Sequence, residues 1–151
     1  MGLFDAIGIA GSGLTADRIR MDVTAENLAN AQTTRGPGGQ PYRRQVVVLQ
    51  QISPGGEGFN GALSGALQQA GPSEPAGGVQ VAGIASDATP DQQLYDPGNP
   101  EANPQGYVKM PNVSTVTEMT DLIAESQAYQ SDVTAMQTAK SMFSSTLGLL
   151  K

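Results

Sequence analysis

Two stretches of this chain, one near each end, carry an apolar residue at every seventh position. The N-terminal row and the C-terminal row consist, respectively, of Ile7, Leu14, Met21 and Leu28, and of Leu122, Tyr129, Met136, Phe143 and Leu150. A seven-residue spacing keeps one apolar side of a helix turned toward another helix. The two rows therefore predict helices that pack either against each other or against helices of neighbouring copies. This pattern is typical of an assembly protein rather than an enzyme.

The composition restricts the function further. The chain has 151 residues, among them 19 glycines and 10 prolines, and only 5% of its residues are aromatic. Such a composition provides few large apolar side chains for one compact core, so we expect the isolated chain to be only partly ordered. The absence of Cys and His excludes the usual zinc sites, thiol nucleophiles and Ser-His-Asp triads. A net charge of -6 disfavours nucleic acid as a partner.

The sequence shows neither a membrane span nor a cleavable signal peptide. No segment reaches the roughly 18 to 20 apolar residues that a spanning helix needs. The first residues lack the basic segment of a signal peptide, and Asp5 interrupts their apolar run. We therefore expect any passage out of the cytoplasm to use a route that does not need such a peptide.

The two apolar rows predict two helices that differ in stability. The first helix is expected over residues 3 to about 31, with Asn27 and Asn30 at its exit, where asparagine side chains bond locally to the backbone. Glycines in its first half, each about 1 kcal/mol worse than alanine in a helix, predict fraying in isolation. The last helix is expected to begin near Asn112 or Ser114, since either side chain can cap it, and to run to about residue 149.

Short strands are predicted between the two helices. Residues 42–52 and 78–84 are the better candidates, and 94–95 and 107–110 are shorter ones. Residues 53–78 are rich in Gly, Pro, Ala, Ser and Gln, which predicts a flexible insert. Two helices with a strand-rich middle predict a fold of the α+β class.

The sequence offers only weak candidates for a catalytic, phosphate-binding or metal-binding site. The glycine-rich run 8–13 lacks the preceding strand and the lysine of a phosphate-binding loop. Four carboxylates in the middle of the chain would suit Ca²⁺ or an acid–base pair in glycoside hydrolysis. They are Asp87, Asp91, Asp96 and Glu101. Their spacing is not that of an EF-hand loop and prolines stand among them, so we interpret them as solvated turn residues.

Two surface features leave alternatives open. Arg35, Arg43 and Arg44 form the only basic cluster, which is either a complementary patch for the acidic part of another copy or a solvated strand face. Residues 2–8 resemble membrane-active amphipathic peptides. Such peptides usually carry Lys or Arg on their polar face, however, and the first positive side chain here is Arg18.

Several motifs resemble those of a known family. They are NLAN followed by Thr at 27–33, GGQPYR at 38–43, YDPGNP at 95–100, GYVKMPNV at 106–113 and SQAYQ at 126–130. Together they resemble the bacterial flagellar rod and hook proteins, and among these the proximal rod members. The matching residues include Asn27, Leu28, Ala29, Asn30, Thr33, Tyr42, Arg43, Tyr95, Pro97, Gly98, Gly106, Tyr107, Pro111 and Asn112.

The resemblance implies a structural, non-catalytic subunit of the flagellar basal-body rod. Such subunits leave the cell through the flagellar type III export apparatus without a cleaved signal peptide, and polymerise in the periplasm into a helical, hollow drive shaft that transmits motor torque. The expected partners are other copies of the chain, other rod proteins, and the membrane-ring and export-gate proteins at the rod base. No nucleic acid, small-molecule substrate, metal or cofactor is expected.

The resemblance also implies an architecture. Residues 1–34 and 112–151 would form a helical inner domain, in which the long terminal helices pair as an antiparallel coiled coil. Residues 35–111 would form a small β-rich outer domain carrying the Gly/Pro-rich insert 53–78. The expected seam and assembly residues are Phe4, Ile7, Leu14, Met21, Leu28, Leu122, Tyr129, Val133, Met136, Phe143, Leu147 and Leu150.

Three alternatives remain at this point. One is another flagellar axial protein of the same family. The second is a cell-wall hydrolase, which would need a positioned carboxylate pair that the spacing of the acidic residues does not provide. The third is a membrane-active or adhesive surface protein, for which binding of residues 1–30 to liposomes is the direct test.

Overall fold

The computed structural model describes residues 3–36, 38–52 and 77–148. Over these residues the chain forms two long helices and two small two-stranded sheets. The predicted α+β class is therefore confirmed. The predicted flexible insert falls almost entirely on residues 53–76, which lie outside the described residues.

The helices and strands lie close to their predicted positions. In chain order they are α1 (Leu3–Ala29), β1 (Gln45–Gln51), β2 (Val79–Ser86), β3 (Gln92–Tyr95), β4 (Tyr107–Met110) and α2 (Thr115–Gly148). At 1.5 Å per residue, α1 extends over about 40 Å and α2 over about 51 Å. None of the described helices is long and apolar enough to cross a membrane.

Strand β1 begins three residues later than predicted because the residues before it bond to other elements. The backbone N–H of Tyr42 donates to the carbonyl of Thr33 (3.0 Å), just beyond the end of α1. The sheet of β1 and β2 is antiparallel, as its two ends show. The N–H of Ile52 donates to the carbonyl of Gly78 (2.9 Å), and beyond the other end the N–H of Asp87 donates to the carbonyl of Arg44 (2.8 Å).

The chain divides into two compact units. Unit 1 contains Met1–Ala16, Leu49–Ala82 and Tyr129–Lys151, and unit 2 contains Asp17–Val48 and Gly83–Ala128. Each unit thus includes one part of α1 and one part of α2.

In unit 1, small residues bring the two helices close together. A Cβ atom placed on Gly11 would lie 3.8 Å from Cε of Met136, and one placed on Gly13 would collide with the carboxylate of Asp132. The order of these contacts is antiparallel. Ser12, between the two glycines, accepts a hydrogen bond at Oγ from the N–H of Val79 (3.1 Å). The glycine-rich run predicted not to be a phosphate loop is therefore part of a helix that packs closely.

In unit 2, many of the buried residues are polar or charged. The buried apolar residues there include Val23, Ala31, Val108 and Val113. The buried polar or charged residues of the same unit are Asp17, Thr24, Asn27, Asn112, Glu118 and Glu125. Because buried polar groups need hydrogen-bond partners, this unit depends on a network of side-chain contacts.

The start of α2 is capped by Ser114, one of the two predicted caps. The N–H of Thr117 donates to Oγ of Ser114 (3.4 Å), and the N–H of Glu118 donates to the Ser114 carbonyl (2.9 Å). This is the pattern of a helix N-cap. The side chain of Asn112, the other predicted cap, bonds to the backbone of Arg44 and Thr89 instead.

Strands β3 and β4 form an antiparallel hairpin in unit 2, with Tyr95 opposite Tyr107. The two rings pack edge to face, with their centroids 5.2 Å apart and their planes at 63°. Gly106, just before β4, has a φ of +83°, and a Cβ atom there would lie 2.9 Å from the Tyr95 ring. A residue with a side chain would therefore be strained and would also displace the ring.

We predict that Gly106→Ala lowers the free energy of unfolding by about 1–3 kcal/mol, because alanine is strained at this φ. Gly98→Ala, in the same loop, is the matched control. Its new Cβ would meet only the Asp96 carboxylate, at an ordinary 3.7 Å, so we expect a change within about 0.5 kcal/mol. Urea unfolding of the two variants measures the difference, and equal stabilities would contradict this description of the loop.

Candidate functional site: a buried polar junction in unit 2

The side chain of Asn27, in the last turn of α1, is the centre of the network in unit 2. Only 1% of the residue is exposed. Its Oδ1 accepts hydrogen bonds from the N–H of Gln45 (2.8 Å) and the hydroxyl of Tyr42 (2.9 Å). Its Nδ2 donates to the carbonyl of Gln45 (2.8 Å) and to Oε2 of Glu118 (3.2 Å). The amide thus uses both donors and both acceptor positions.

The contact between Asn27 and Gln45 replaces a strand neighbour. A residue in a sheet bonds to its partner through one N–H and one C=O. The Asn27 amide offers the same pair of groups from a helix, and it holds both backbone groups of the first residue of β1. The start of β1 is therefore fixed to α1 without another strand on that side.

Glu118 connects the Asn27 side chain to α2. This residue lies in the first turn of α2 and is completely buried. Its second oxygen, Oε1, accepts a hydrogen bond of 2.5 Å from Nε of Arg44. Arg44 also approaches two further carboxylates, at 3.4 Å from Asp121 and 3.7 Å from Asp87. One arginine thus balances three acidic side chains, of which Glu118 is the most buried.

Asn112 completes the connections around Arg44. Its Oδ1 accepts a hydrogen bond from the backbone N–H of Arg44 (2.8 Å), and its Nδ2 donates to the carbonyl of Thr89 (3.1 Å). It therefore joins three separate segments of unit 2 rather than capping α2. We call the set formed by Asn27, Tyr42, Arg44, Gln45, Asn112 and Glu118 the polar junction.

The polar junction shifts the pKa of its members in directions that follow from its geometry. The hydrogen bond to Glu118 raises the pKa of Arg44, so this guanidinium stays charged. Burial, followed by the nearby charges of Glu26 and Glu118, raises the pKa of the Tyr42 hydroxyl. At the rim, hydrogen bonds from Thr89 hold the pKa of Asp87 below its usual value.

A second buried carboxylate lies one heptad beyond Glu118. Glu125 is 4% exposed. Its Oε1 accepts a hydrogen bond from the Thr24 hydroxyl (3.3 Å) and lies 3.4 Å from Nε of Arg20. Its Oε2 is buried and finds no hydrogen-bond partner among the described residues. Burial raises the pKa of this carboxyl.

Some of the motif residues belong to the polar junction. Asn27, Tyr42 and Asn112 belong to it, and Arg43 lies 3.7 Å from Asp91. Asn30 and Thr33 bond to each other beside it (3.2 Å). The remaining motif residues lie elsewhere in unit 2: Leu28 and Ala29 in α1, Tyr95, Pro97, Gly98, Gly106 and Tyr107 in the hairpin, and Pro111 before α2. Pro111 is fully buried.

Sequence reasoning missed Arg44, Gln45 and Glu118 as members of the junction. The sequence places Arg44 either in a patch for another copy or on a solvated strand face. For Arg44 the structure shows neither, because its acidic partners lie in the same chain. A usable signal was present in a second, polar heptad beside the apolar one. It consists of Glu118, Glu125 and Asp132 in α2, and of Asp17 and Thr24 in α1.

The predicted seam residues are only half-buried. This holds for all those whose side chains are described: Ile7, Leu14, Met21, Leu28, Leu122, Tyr129, Val133, Met136 and Phe143. The side chains of Phe4, Leu147 and Leu150 lie outside the described part of the chain. Among the half-buried seam residues, Met136 faces Gly11 where the two helices approach closely. Packing of the apolar rows as a coiled coil therefore stays a prediction.

Of the four acidic candidates, two lie beside arginines and two are exposed. Asp87 and Asp91 lie beside Arg44 and Arg43, whereas Asp96 and Glu101 are exposed in turns. Across the residues that the structure describes, no group of three carboxylates is arranged to hold a metal ion.

We predict that Asn27→Ala lowers the free energy of unfolding by about 2–4 kcal/mol, because it leaves both backbone groups of Gln45 and one oxygen of Glu118 without their partner. Asn30→Ala is the matched control. The Asn30 side chain donates to the Glu26 carbonyl (3.0 Å) and accepts from the Thr33 hydroxyl (3.2 Å). It bonds to neither β1 nor α2, so we expect a loss below about 1 kcal/mol. Urea unfolding of both variants provides the measurement, and equal losses would contradict a central role for Asn27.

Comparison with family models matches both ends of the chain. Residues 7–37 match the family described as "Flagella basal body rod protein". Residues 105–149 match the family described as "Flagellar basal body rod FlgEFG protein C-terminal". The first region contains Asn27 and the second contains Asn112 and Glu118, so three members of the polar junction lie within the matched regions.

Relatives with curated names match along the whole chain. The flagellar basal-body rod protein FlgC of Escherichia coli O6:H1 is 43% identical over 149 residues, which cover 99% of this chain and 98% of the relative. FlgC of Bacillus subtilis is 40% identical over 155 residues and 100% of both chains. FlgC of Borreliella burgdorferi is 40% identical over 159 residues, covering 100% of this chain and 99% of the relative. The resemblance drawn from the motifs is thus confirmed: the chain belongs to the FlgC family of flagellar basal-body rod proteins and is a structural subunit of the rod.

Proposed function

We propose that this chain polymerises helically, with other copies of itself and with other rod proteins, into the hollow drive shaft that transmits motor torque, and that it catalyses no reaction. The observation that supports this most directly is an apolar stripe on α2. Val116, Met119 and Ile123 expose 73%, 54% and 61% of their surface. Helices on the surface of a monomeric protein normally turn such residues toward the core.

The stripe lies on the side of α2 opposite the buried carboxylates. Successive residues of an α-helix are about 100° apart, so Ile123 and Glu125 point in directions about 200° apart, as do Val116 and Glu118. On one side α2 is therefore held by partners within unit 2, and on the other it presents apolar side chains. A contiguous apolar patch marks contact with another protein, as expected for a subunit covered by its neighbours.

The apolar heptad rows supply a second set of contacts in this proposal. Those members whose side chains are described are half-buried, so each of these still has apolar surface to cover. We assign them to helix–helix contacts, either in an antiparallel coiled coil of the two terminal helices or with helices of neighbouring copies. Residues 1–34 and 112–151 would then form the inner, channel-lining domain, and residues 35–111 the β-rich outer domain.

The polar junction would give each subunit a fixed shape. A shaft that transmits torque requires subunits that do not deform under load. A buried network whose members all have hydrogen-bond partners specifies one arrangement of the segments that it joins. In unit 2 the junction joins α1, β1 and α2, so every copy would present the same surfaces to its neighbours.

The weak start of α1 suits export. Gly8, Gly11 and Gly13 each lower helix stability by about 1 kcal/mol relative to alanine, which favours an unfolded chain during passage and delays polymerisation. We infer that the chain travels through the flagellar type III apparatus without a cleaved signal peptide. It would then assemble in the periplasm, with the membrane-ring and export-gate proteins as partners at the rod base.

The test uses a strain that lacks the gene, complemented with wild-type or variant chains. We expect the empty strain to be non-motile, with membrane rings but no rod in isolated basal bodies, and the wild-type gene to restore both. Ile123→Asp should fail to restore the rod, because it places a charge in the apolar stripe, while the purified variant keeps wild-type stability.

Ala124→Asp is the matched control. It adds the same charge at an exposed position about 100° around the helix from Ile123, and it should support normal rods. Normal rods in the empty strain would refute the proposed function. Normal rods with Ile123→Asp would refute the role of the stripe alone.

A further inference from the structure

A cleft in unit 2 lies between the connector that follows α1 and the hairpin of β3 and β4. Its volume is about 360 Å³, within the range of roughly 300–1,000 Å³ that is typical of clefts that take ligands. The connector supplies lining residues that include Arg35 and Gln40, and the hairpin supplies others that include Glu101, Tyr107 and Lys109. The cleft is therefore large enough to receive a side chain of another molecule.

Three of the sequence motifs meet at this cleft. GGQPYR supplies Gln40, YDPGNP supplies Pro100, and GYVKMPNV supplies Tyr107 and Lys109. None of these four residues belongs to the polar junction. The cleft thus gives a common location to motif residues that the junction leaves unexplained.

Both walls of the cleft are held in place by hydrogen bonds within unit 2. In the connector, the N–H of Gly36 donates to the carbonyl of Gln40 (2.8 Å). In the hairpin loop, Oδ1 of Asn103 accepts hydrogen bonds from the N–H groups of Gln105 (3.0 Å) and Tyr107 (2.9 Å). A partner therefore meets a preformed surface, which lowers the entropic cost of binding.

The cleft is basic, although the chain as a whole carries a charge of -6. Its charged lining residues are Arg35, Lys109 and Glu101, and two bases against one acid leave a positive surplus. All three are exposed, and none makes an ion pair within the described part of the chain. Arg35 thus differs from Arg43 and Arg44, the other members of the predicted basic cluster, which have acidic partners in the same chain.

We propose that the cleft binds an acidic pair, Asp22 and Glu26, on α1 of a second copy of this chain. Both residues are exposed, and neither makes an ion pair among the residues that the structure describes. They stand four positions apart, so their carboxylates lie on the same side of α1. Hydrogen bonds from guanidinium or ammonium groups to a carboxylate are of the stronger, charge-assisted kind. This inference rests on the proposed assembly of copies of the chain.

The cleft and the acidic pair are different surfaces of the same molecule. Asp22 and Glu26 belong to neither wall of the cleft, whereas Asp96 and Glu101, two further exposed acids, belong to the hairpin that forms one wall. A contact between different surfaces is heterologous, and repeated heterologous contacts generate rings or open helical filaments. This contact therefore agrees with a subunit of a helical rod.

The direct experiment measures self-association of the purified full chain by sedimentation velocity at about 50 mM salt, because higher salt screens surface charge pairs. We expect Lys109→Glu to weaken self-association by about tenfold or more, because it replaces an attraction in the cleft by a repulsion. Arg35→Glu, in the other wall, should have the same effect. Lys140→Glu is the matched control. It makes the same exchange at an exposed position of α2 outside the cleft, and we expect no such loss.

Charge reversal on α1 tests the occupant. Asp22→Lys and Glu26→Lys should each weaken association, and at least one of them should restore it when combined with Lys109→Glu, since the two charges are then exchanged. Combination with Lys140→Glu returns the net charge equally and should restore nothing. Because Arg35, Lys109, Asp22 and Glu26 are all exposed, failure of one variant to fold leaves the others informative.

Three results would overturn the proposal. The first is association of Lys109→Glu and Arg35→Glu at the level of Lys140→Glu. The second is absence of rescue by both α1 variants. The third is a wild-type chain that stays monomeric at the highest attainable concentration, which excludes a second copy as the occupant. In cells, absence of rods in the empty strain together with normal rods in the Lys109→Glu and Arg35→Glu strains would refute this inference while leaving the proposed function intact.

Discussion

The hydrogen bonds of the Asn27 amide are the interaction on which unit 2 depends. They join the end of α1 to the first residue of β1 and, through Glu118, to the first turn of α2. Burying Glu118 and part of Arg44 costs desolvation energy, which a close and fully hydrogen-bonded pair offsets. The stabilisation that such a pair adds is small, but removing one member leaves a buried group unsatisfied. The junction therefore specifies the arrangement of these segments more than it stabilises the fold.

Much of the fold was predictable from local sequence patterns. The heptad rows and the capping Ser114 located both helices, and β-branched runs located the strands to within a few residues. These signals depend on residues that are near one another in the chain. The motifs also singled out Asn27, Tyr42 and Asn112, although without showing what they bind.

The rest of the site could not be predicted because its contacts join distant residues. Asn27 and Glu118 are 91 positions apart, and Arg44 and Glu118 are 74 positions apart. Nothing in the sequence around Arg44 indicates whether its acidic partner lies in the same chain or in another. A polar heptad stands beside the apolar rows, and four of its members, Asp17, Thr24, Glu118 and Glu125, are buried. In the function that we propose, the apolar rows and the exposed stripe of α2 contact other helices of the rod.

The most direct measurement is hydrogen exchange of the backbone N–H groups of Arg44 and Gln45 in the purified full chain. Each is held by a buried asparagine side chain, Asn112 and Asn27 respectively, rather than by a neighbouring strand. If the polar junction fixes β1 before assembly, both protons should exchange only through global unfolding of unit 2, with the protection of its most stable amides. Exchange of either proton at the rate of an unfolded peptide would contradict the account.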